Sequence, residues 1–148
     1  MLKLYLDMCC FNRPYDNQTS ARVKLETEAK LYIQSAVLDG KLALVWSFML
    51  DYENSANPYP DHREAIAEWK TLSKHHIPAM DDIRERGATI AANTGIKSKD
   101  ALHLACAVAA KCDYFITTDR ALLKKAQSLP EMKTVNPMDF AILMEDNR

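Results

Sequence analysis

Short apolar runs alternate with longer amphipathic stretches along this chain. The first run, LKLYLD, has leucines at alternate positions and predicts a short β-strand. The next stretch, DMCCFNRPYDNQTS, is rich in turn-forming residues and predicts a loop. A long helix is then predicted, ending at Asp39-Gly40, because apolar residues recur at helical spacing. Its apolar face consists of Leu25, Ala29, Tyr32, Ile33, Ala36 and Val37.

The rest of the chain continues this alternation of strand and helix. Three further strands are predicted at KLALVW, YFITT and MKTVN. Helices are predicted for FMLDYENSA (capped by Ser47), HREAIAEWKTLSKHH (capped by Asp61 and ended by Pro78), IRERGATIAANT (ended by Gly95), KDALHLACAVAAK, RALLKKAQS (begun at Asp119) and PMDFAILM. The pattern predicts one α/β domain over residues 1–148, with a short central parallel sheet and helices on both faces.

Composition narrows the classes of function. The 148 residues are 48% hydrophobic and 26% charged, as in a soluble globular protein. The 19 basic and 20 acidic residues give a net charge of −1, which excludes a polycationic arm but not a local basic patch. The 3 glycines are isolated, so there is no Gly-rich phosphate loop of the kind found in ATP, GTP and dinucleotide enzymes.

The sequence predicts neither a targeting segment nor a membrane partner. The apolar start stops at Asp7, and the run ALHLACAVAA is shorter than the roughly 20 residues that a membrane span needs. We therefore expect a cytoplasmic protein. The 4 cysteines form no C-x-x-C motif and no zinc pattern with the histidines. We expect buried free thiols, with a disulfide or a reactive thiol as the alternative.

Acidic residues stand near the ends of the predicted strands. Asp7 ends the first strand, Asp119 ends YFITT, Asp100 opens the apolar helix and Glu53 lies on the helix after the second strand. The crevice of a parallel α/β sheet lies beyond the carboxyl ends of its strands, so we expect these four side chains to meet there. Such a set of carboxylates can hold Mg²⁺ or Mn²⁺ for phosphodiester hydrolysis.

Each acid also has an ordinary structural interpretation. Asp100 and Asp119 are typical of helix starts, Asp7 is typical of a turn after a strand, and Glu53 fits a solvated helix face. The functional interpretation is favoured by Asp100, because it precedes a helix with almost no other polar residue. The spacing of the acids and the predicted fold alone leave both the metal-site interpretation and the ordinary structural interpretation open.

Three stretches carry a family resemblance. They are LYLDMCCFNRP, DYENSANP and KSKDALHLACAVAAKCDYFITTDRALL, which together span most of the chain from Lys3 to Leu123. The last stretch is the most specific, because the helix opening D-A-L-H-L-A is followed by a short strand and T-x-D. The chain resembles PIN-domain proteins, whose fold is that of many bacterial toxin ribonucleases.

The resemblance implies an acidic centre around one or two Mg²⁺ or Mn²⁺ ions. Matched motif by motif, it assigns catalytic and metal-binding roles to Asp7, Glu53, Asp100 and Asp119. Thr117, the threonine of T-x-D, is expected to support Asp119 or the metal-bound water.

Three features depart from the family pattern. Met8 stands where many relatives have Thr or Ser, and both the loop from Asn12 to Ser20 and the following helix exceed a minimal PIN domain. Because this insertion changes the spacing between Asp7 and Glu53, Glu53 matches the family pattern less closely than the other three acids do. Glu26 and Glu28, in LETEA, are alternatives for its role, although a salt-bridged surface also explains them.

Substrate contacts are expected from cations beside the acids. Arg13, Lys99 and Arg120 are the candidates, with Lys97 nearby, and the structural alternative for each is a solvated surface cation. Aromatic residues offer stacking surfaces for bases or, alternatively, core packing; these are Trp46, Trp69, Tyr59 and Tyr32. His103, one turn beyond Asp100, either orients a carboxylate or is a hydrogen-bonded core histidine.

The sequence thus predicts a Mg²⁺- or Mn²⁺-dependent endoribonuclease. The resemblance implies products with 5′-phosphate and 3′-hydroxyl ends, and a role as the toxin of a toxin–antitoxin pair. RNA, an antitoxin protein and a second copy of the chain are the expected partners. One alternative is a PIN scaffold that binds nucleic acid or protein without cleavage. A haloacid-dehalogenase-like hydrolase is disfavoured, because such enzymes need D-x-D at the end of the first strand and this chain has Asp7-Met8-Cys9 there.

Overall fold

In the part of the chain that the structure describes, the sheet has five parallel strands in the order β3-β2-β1-β4-β5. We describe residues 1–146 of a computed structural model. The strands are β1 (Leu2–Leu6), β2 (Leu42–Ser47), β3 (His75–Ile77), β4 (Tyr114–Ile116) and β5 (Lys133–Val135). Central strand β1 pairs with β2 through Leu4↔Leu44 and with β4 through Leu6↔Ile116.

Within residues 1–146, eight helices cover the sheet. They are α1 (Met8–Asn12), α2 (Ala21–Leu38), α3 (Phe48–Ser55), α4 (Pro60–Leu72), α5 (Asp81–Thr94), α6 (Ser98–Ala109), α7 (Arg120–Ala126) and α8 (Pro137–Asp146). A 3₁₀ turn, Arg13–Tyr15, follows α1. Helices α2 and α8 pack together, as do α5 and α6. From β1 the chain crosses to β2 through α2. From β3 it crosses back over the sheet to β4, on the other side of β1, through α5 and α6. Right-handed crossovers in these opposite directions place α2 and α6 on opposite faces.

The predicted α/β architecture, with a parallel sheet between helical layers, is confirmed. Ser47 and Asp119 cap their helices by accepting from Leu50 N and Leu122 N, as expected. Gly95 ends α5 with φ of 74°, a left-handed conformation that glycine adopts without strain. No helix within residues 1–146 is long and apolar enough to cross a membrane. The single-domain prediction for 1–148 stays a prediction, and its last two residues lie outside those described.

Two local predictions are wrong. The segment after Asp7 is not a simple loop, because α1 and the 3₁₀ turn fill it. Helix α4 begins at Pro60, without an Asp61 cap, and ends at Leu72 rather than at the second histidine of SKHH. Residues His75–Ile77 instead form edge strand β3, whose register is Val45↔His75. Cross-strand hydrogen bonding, which local pattern does not report, decides this segment.

The buried face of α2 also differs from the prediction. Leu25 is 52% exposed, whereas Glu26, Lys30 and Gln34 are buried. The guanidinium of Arg13 bonds Glu26 from the 3₁₀ turn, and the ammonium of Lys30 lies 5.7 Å from the centre of the Phe11 ring. These partners come from the segment after Asp7, which covers this face and buries a polar stripe.

Four free cysteines fit the expectation of unpaired thiols. Cys10, Cys106 and Cys112 are buried, while Cys9 is partly exposed. Burial raises the pKa of the Cys106 and Cys112 thiols to about 12, so both remain protonated at neutral pH. They behave as small apolar core residues.

Close packing of α5 on α6 fixes the helix that carries Asp100. A Cβ added to Gly87 would lie 3.0 Å from Leu102 Cδ2. We expect Gly87→Val to lower the free energy of unfolding by about 1–3 kcal/mol through overpacking. Ala88→Val, at an exposed position on the same helix, is the matched control. Thermal unfolding checks this, and equal loss in both variants would contradict a tight α5–α6 contact.

Candidate acidic active site

The carboxyl ends of β1, β2 and β4 form the floor of the candidate site. Asp7 follows β1, Ser47 ends β2 and Thr117 follows β4. Asp7 N donates to Ile116 O at 2.9 Å, which extends the pairing of β1 and β4 up to the acid. The ladder thus fixes the backbone of Asp7, whose side chain is buried, with the residue only 7% exposed.

Thr117 connects two of the predicted acids. Its hydroxyl donates to Asp7 Oδ2 at 2.8 Å, and its Oγ1 accepts from Asp119 N at 3.2 Å. Asp7 Oδ1 also accepts from Met8 N at 2.8 Å, so Asp7 caps the short helix α1. One Asp119 oxygen, Oδ1, accepts from Leu122 N at 3.1 Å. Both aspartates thus act as caps while lying at one edge of the sheet.

Asp100 and Glu53 complete the acidic set. Asp100 and Asp119 line the same cleft of about 130 Å³, together with Lys97 and Lys125. Glu53, Asp7 and His103 each offer one ligand atom, and these three atoms lie within 4.8 Å of one another. The structure therefore brings the four predicted acids together, and His103 joins them.

Electrostatics support this convergence. Burial raises the pKa of Asp100, and the negative charges of Asp7 and Asp119 raise it further, whereas His103 opposes the shift. Glu53 adds a smaller upward effect on the same pKa. All the other predicted acids thus act on Asp100, as expected for carboxylates that share one site.

A buried hydrogen-bonded chain holds Glu53. His103 bonds a Glu53 oxygen through Nε2 and Tyr5 Oη through Nδ1, the latter at 2.5 Å. Tyr5 Oη also bonds Ser47 Oγ at 2.6 Å. With His103 neutral, the chain is satisfied when Ser47 donates to Tyr5, Tyr5 donates to Nδ1, and Nε2–H donates to the carboxylate; with His103 protonated, Nδ1–H donates to Tyr5 and Tyr5 donates to Ser47.

The ionisation of His103 reflects these neighbours. Burial, the largest single effect, lowers its pKa, but the bond to Glu53 and the charges of Asp7 and Asp100 together raise it. Both interpretations of this histidine hold, since it is 1% exposed in the core and also orients a carboxylate. Tyr5 and Ser47 were missed at the sequence level. Tyr5 occupies the expected outward position of an alternating strand, yet it is fully buried because helices cover both sheet faces.

The predicted substrate-binding cations, the alternative acids and the aromatic candidates differ in their surroundings. Arg13 pairs with Asp16 and Glu26, so its guanidinium is engaged within the protein. Lys99 Nζ lies 5.6 Å from the Tyr52 ring centre, and Arg120 is exposed beside Asp119. Glu26 is fully buried and ion-paired, which contradicts a surface location, and Glu28 is exposed. Among the aromatic candidates, Trp46 is 2% exposed and Tyr59 is 61% exposed.

The family follows from the sequence match. A family model described as PIN domain matches residues 4–128. This chain belongs to the PIN-domain family, as its motifs predicted. No match was found among curated proteins.

Solved structures agree on the fold. The chain is similar to a toxin–antitoxin complex protein from Klebsiella pneumoniae, with 17% identity, TM-score 0.58, and 90% and 97% of the two chains covered. It is also similar to a VapBC2 structure from Rickettsia felis bound to a promoter DNA fragment, with 12% identity and a TM-score of 0.57 over 91% of this chain and 98% of that chain. For DNA-bound VapBC from Salmonella typhimurium, the identity is 12% and the TM-score is 0.53, over 93% of this chain and 99% of that chain.

The raised pKa of Asp100 predicts a gain in stability when its charge is removed. The pKa is higher in the folded protein than in the unfolded chain, so ionised Asp100 destabilises the fold above the unfolded pKa of about 4. In chelator at pH 7, we expect Asp100→Asn to add up to about 1 kcal/mol, given solvent screening, and to raise the Tm by about 2–4 °C. The gain should shrink as the pH falls and should vanish well below the unfolded pKa of about 4, where Asp100 is protonated in both states.

Asp61→Asn is the matched control. Asp61 also lies in the first turn of a helix, but it is exposed. Its substitution should lower stability slightly, because a favourable charge at a helix N-terminus is lost. Equal losses in the two variants would mean that Asp100 is an ordinary first-turn acid.

Proposed function

We propose that this protein is a Mg²⁺- or Mn²⁺-dependent endoribonuclease and the toxin of a toxin–antitoxin pair. The observation that carries the proposal is the meeting of Asp7, Glu53, Asp100 and Asp119 at the carboxyl edge of the sheet. Membership of the PIN-domain family supports the nuclease activity. Phosphodiester hydrolysis is the chemistry for which such a set of carboxylates is suited.

The donor set fits a hard divalent cation. Carboxylate oxygens are the ligands that Mg²⁺ and Mn²⁺ prefer. The mutual repulsion that raises the pKa of Asp100 would be relieved by a bound cation. Asp7, Asp100 and Asp119 would hold the metal, with Glu53 as a ligand or as a partner of one. When bound, the ion would supply activation of water and neutralisation of charge on the phosphate.

The protein's own residues would orient these ligands. Thr117 fixes one oxygen of Asp7, and the Ser47–Tyr5–His103 chain fixes one oxygen of Glu53. The remaining carboxylate oxygens are then aimed with little loss of side-chain entropy. His103 is thus proposed as a positioning residue for Glu53.

Cations beside the acids would contact the RNA phosphates. Lys97 and Lys125 line the cleft of Asp100 and Asp119, and Lys125 is held there by donation to Gly95 O at 3.2 Å. Lys99 and Arg120 lie next to the same acids in sequence and are exposed. Arg13 stays a proposed phosphate contact, although its pairing with Glu26 supports a structural role.

An antitoxin is proposed as the protein partner, in addition to a second copy of the chain. The similar structure from Klebsiella pneumoniae is described as a toxin–antitoxin complex. An arginine of the partner would suit this site, because its planar guanidinium can bind a carboxylate through two hydrogen bonds. Such an arginine would take the place of the metal among the acids.

Cleavage of RNA in defined metal tests the enzymatic proposal. We expect cleavage of single-stranded RNA in Mg²⁺ or Mn²⁺, none in chelator, and losses of about 10²-fold or more in Asp7→Asn, Asp100→Asn and Asp119→Asn. Asp61→Asn should cleave like the wild type. Gel analysis of end-labelled RNA measures the rates, and circular dichroism shows that each variant is folded. Wild-type protein that binds RNA without cleaving it would favour the binding-module alternative.

Isolation from the source cell tests the partner proposal. We expect the native protein to co-purify with a small protein, and overexpression of the chain alone to stop growth. Asp100→Asn should abolish the growth arrest. A chain that is isolated alone and is harmless when overexpressed would contradict the toxin role while leaving the nuclease proposal to the cleavage assay.

A further inference from the structure

Three aromatic rings form a cluster on the surface beside the acids. Tyr15, Tyr59 and His62 make up this aromatic cluster. The rings of Tyr15 and His62 are stacked, with centroids 3.8 Å apart and an interplanar angle of 11°. Tyr59 lies 5.0 Å from His62 at 40°. Tyr15 is 44% exposed and Tyr59 is 61% exposed, so the cluster offers ring surface to solvent.

Ordered backbone supports the aromatic cluster. Thr27 donates to Arg13 O at 3.1 Å, which ties the 3₁₀ turn carrying Tyr15 to α2. Asn57 Oδ1 accepts from Tyr59 N at 3.1 Å. Arg63 donates to Asn57 O at 3.0 Å, which ties the Tyr59 segment to α4. The rings are thus presented from fixed positions at small conformational cost.

The aromatic cluster lines a groove that leads to the acidic site. This groove measures about 580 Å³, and its lining includes all three rings as well as Met8 and Glu53. Met8 follows Asp7 directly, and Glu53 belongs to the acidic set. The groove and the acidic site therefore share a wall.

The two sides of the acidic site differ in chemistry. Lys97 and Lys125 line the cleft on the side of Asp100 and Asp119. Within the described residues, the lining of the groove includes neither lysine nor arginine but has the three rings and the amides of Asn12 and Asn57. Its carboxylates are Glu53 of the acidic set and Asp16, which is paired with Arg13. Cations suit phosphates, whereas rings and amides suit the faces and edges of bases.

We propose that the aromatic cluster is a subsite that stacks one unpaired base of the RNA strand next to the scissile phosphate. The inference rests on the proposed nuclease function and assigns a role to the 12–20 insertion, which supplies Tyr15. Aromatic side chains bind single-stranded nucleic acid in this way because every base has a flat π-face. A paired base is stacked within its helix, so the subsite selects single-stranded or looped RNA.

The test measures RNA binding without cleavage. Tyr15 and Tyr59 are each changed to Ala and to Phe in the Asp100→Asn background, and affinity for a short single-stranded RNA is measured in Mn²⁺ by fluorescence anisotropy. We expect each Ala variant to bind about 5- to 150-fold more weakly, from the usual range for one base–aromatic stack. The Phe variants should stay within about 2-fold, because they keep the ring. Leu72→Ala, which removes an exposed apolar side chain at the far end of α4, is the matched control.

Abasic substitution in the RNA separates stacking from a structural role of the tyrosines. Scanning one abasic position through the RNA should find a position that weakens binding to the Asp100→Asn protein but not to its Tyr59→Ala variant. Loss of affinity in the Ala variants without such a position would overturn the proposal. Unchanged RNA affinity in the Ala variants would also overturn the proposal. This holds even if those variants lose binding to a protein partner, because the cluster would then bind protein rather than RNA. Because the assay needs no turnover, an inactive wild type would count against the nuclease proposal alone.

Discussion

Pairing of β1 on both sides is the constraint on which this structure depends. Strand β1 lies between β2 and β4, and all three run in the same direction. Their carboxyl ends consequently meet at one edge, where Asp7 lies beside Thr117. From the other side, Tyr5 reaches Ser47 at the end of β2. The ladder thus fixes both Asp7, which Thr117 supports, and Tyr5, through which the hydrogen-bonded chain reaches Glu53.

The acidic site works against the stability of the fold that contains it. Burial and the charges of Asp7 and Asp119 raise the pKa of Asp100, so the charged form of Asp100 is disfavoured in the fold. Such strain is common at functional sites, because groups placed for a ligand are left without it in the free protein. Here the hydrogen bonds of Thr117 and His103 hold two of the acids against this repulsion.

The insertion after Asp7 has two effects. Its inner side supplies Arg13, which neutralises the buried Glu26 and makes a polar stripe on α2 tolerable. Its outer side presents the Tyr15 ring against His62 of α4. An element that looked like a loop in the sequence therefore anchors the long helix and lines the groove beside the acids.

The sequence by itself determined the order of the strands and helices other than β3 and α1, the caps at Ser47 and Asp119, and the family. Apolar periodicity, capping residues and the D-A-L-H-L-A and T-x-D motifs are all local features. It also singled out four acids, because Asp7 and Asp119 follow predicted strands, Asp100 opens a helix and Glu53 lies on the helix after β2; their catalytic and metal-binding roles stay predictions. Only the tertiary structure decided strand β3, the burial of Glu26, and the chain from Ser47 through Tyr5 and His103 to Glu53. These features join residues up to 98 positions apart. Their partners come from distant segments through strand pairing and helix packing, and no local pattern records such contacts.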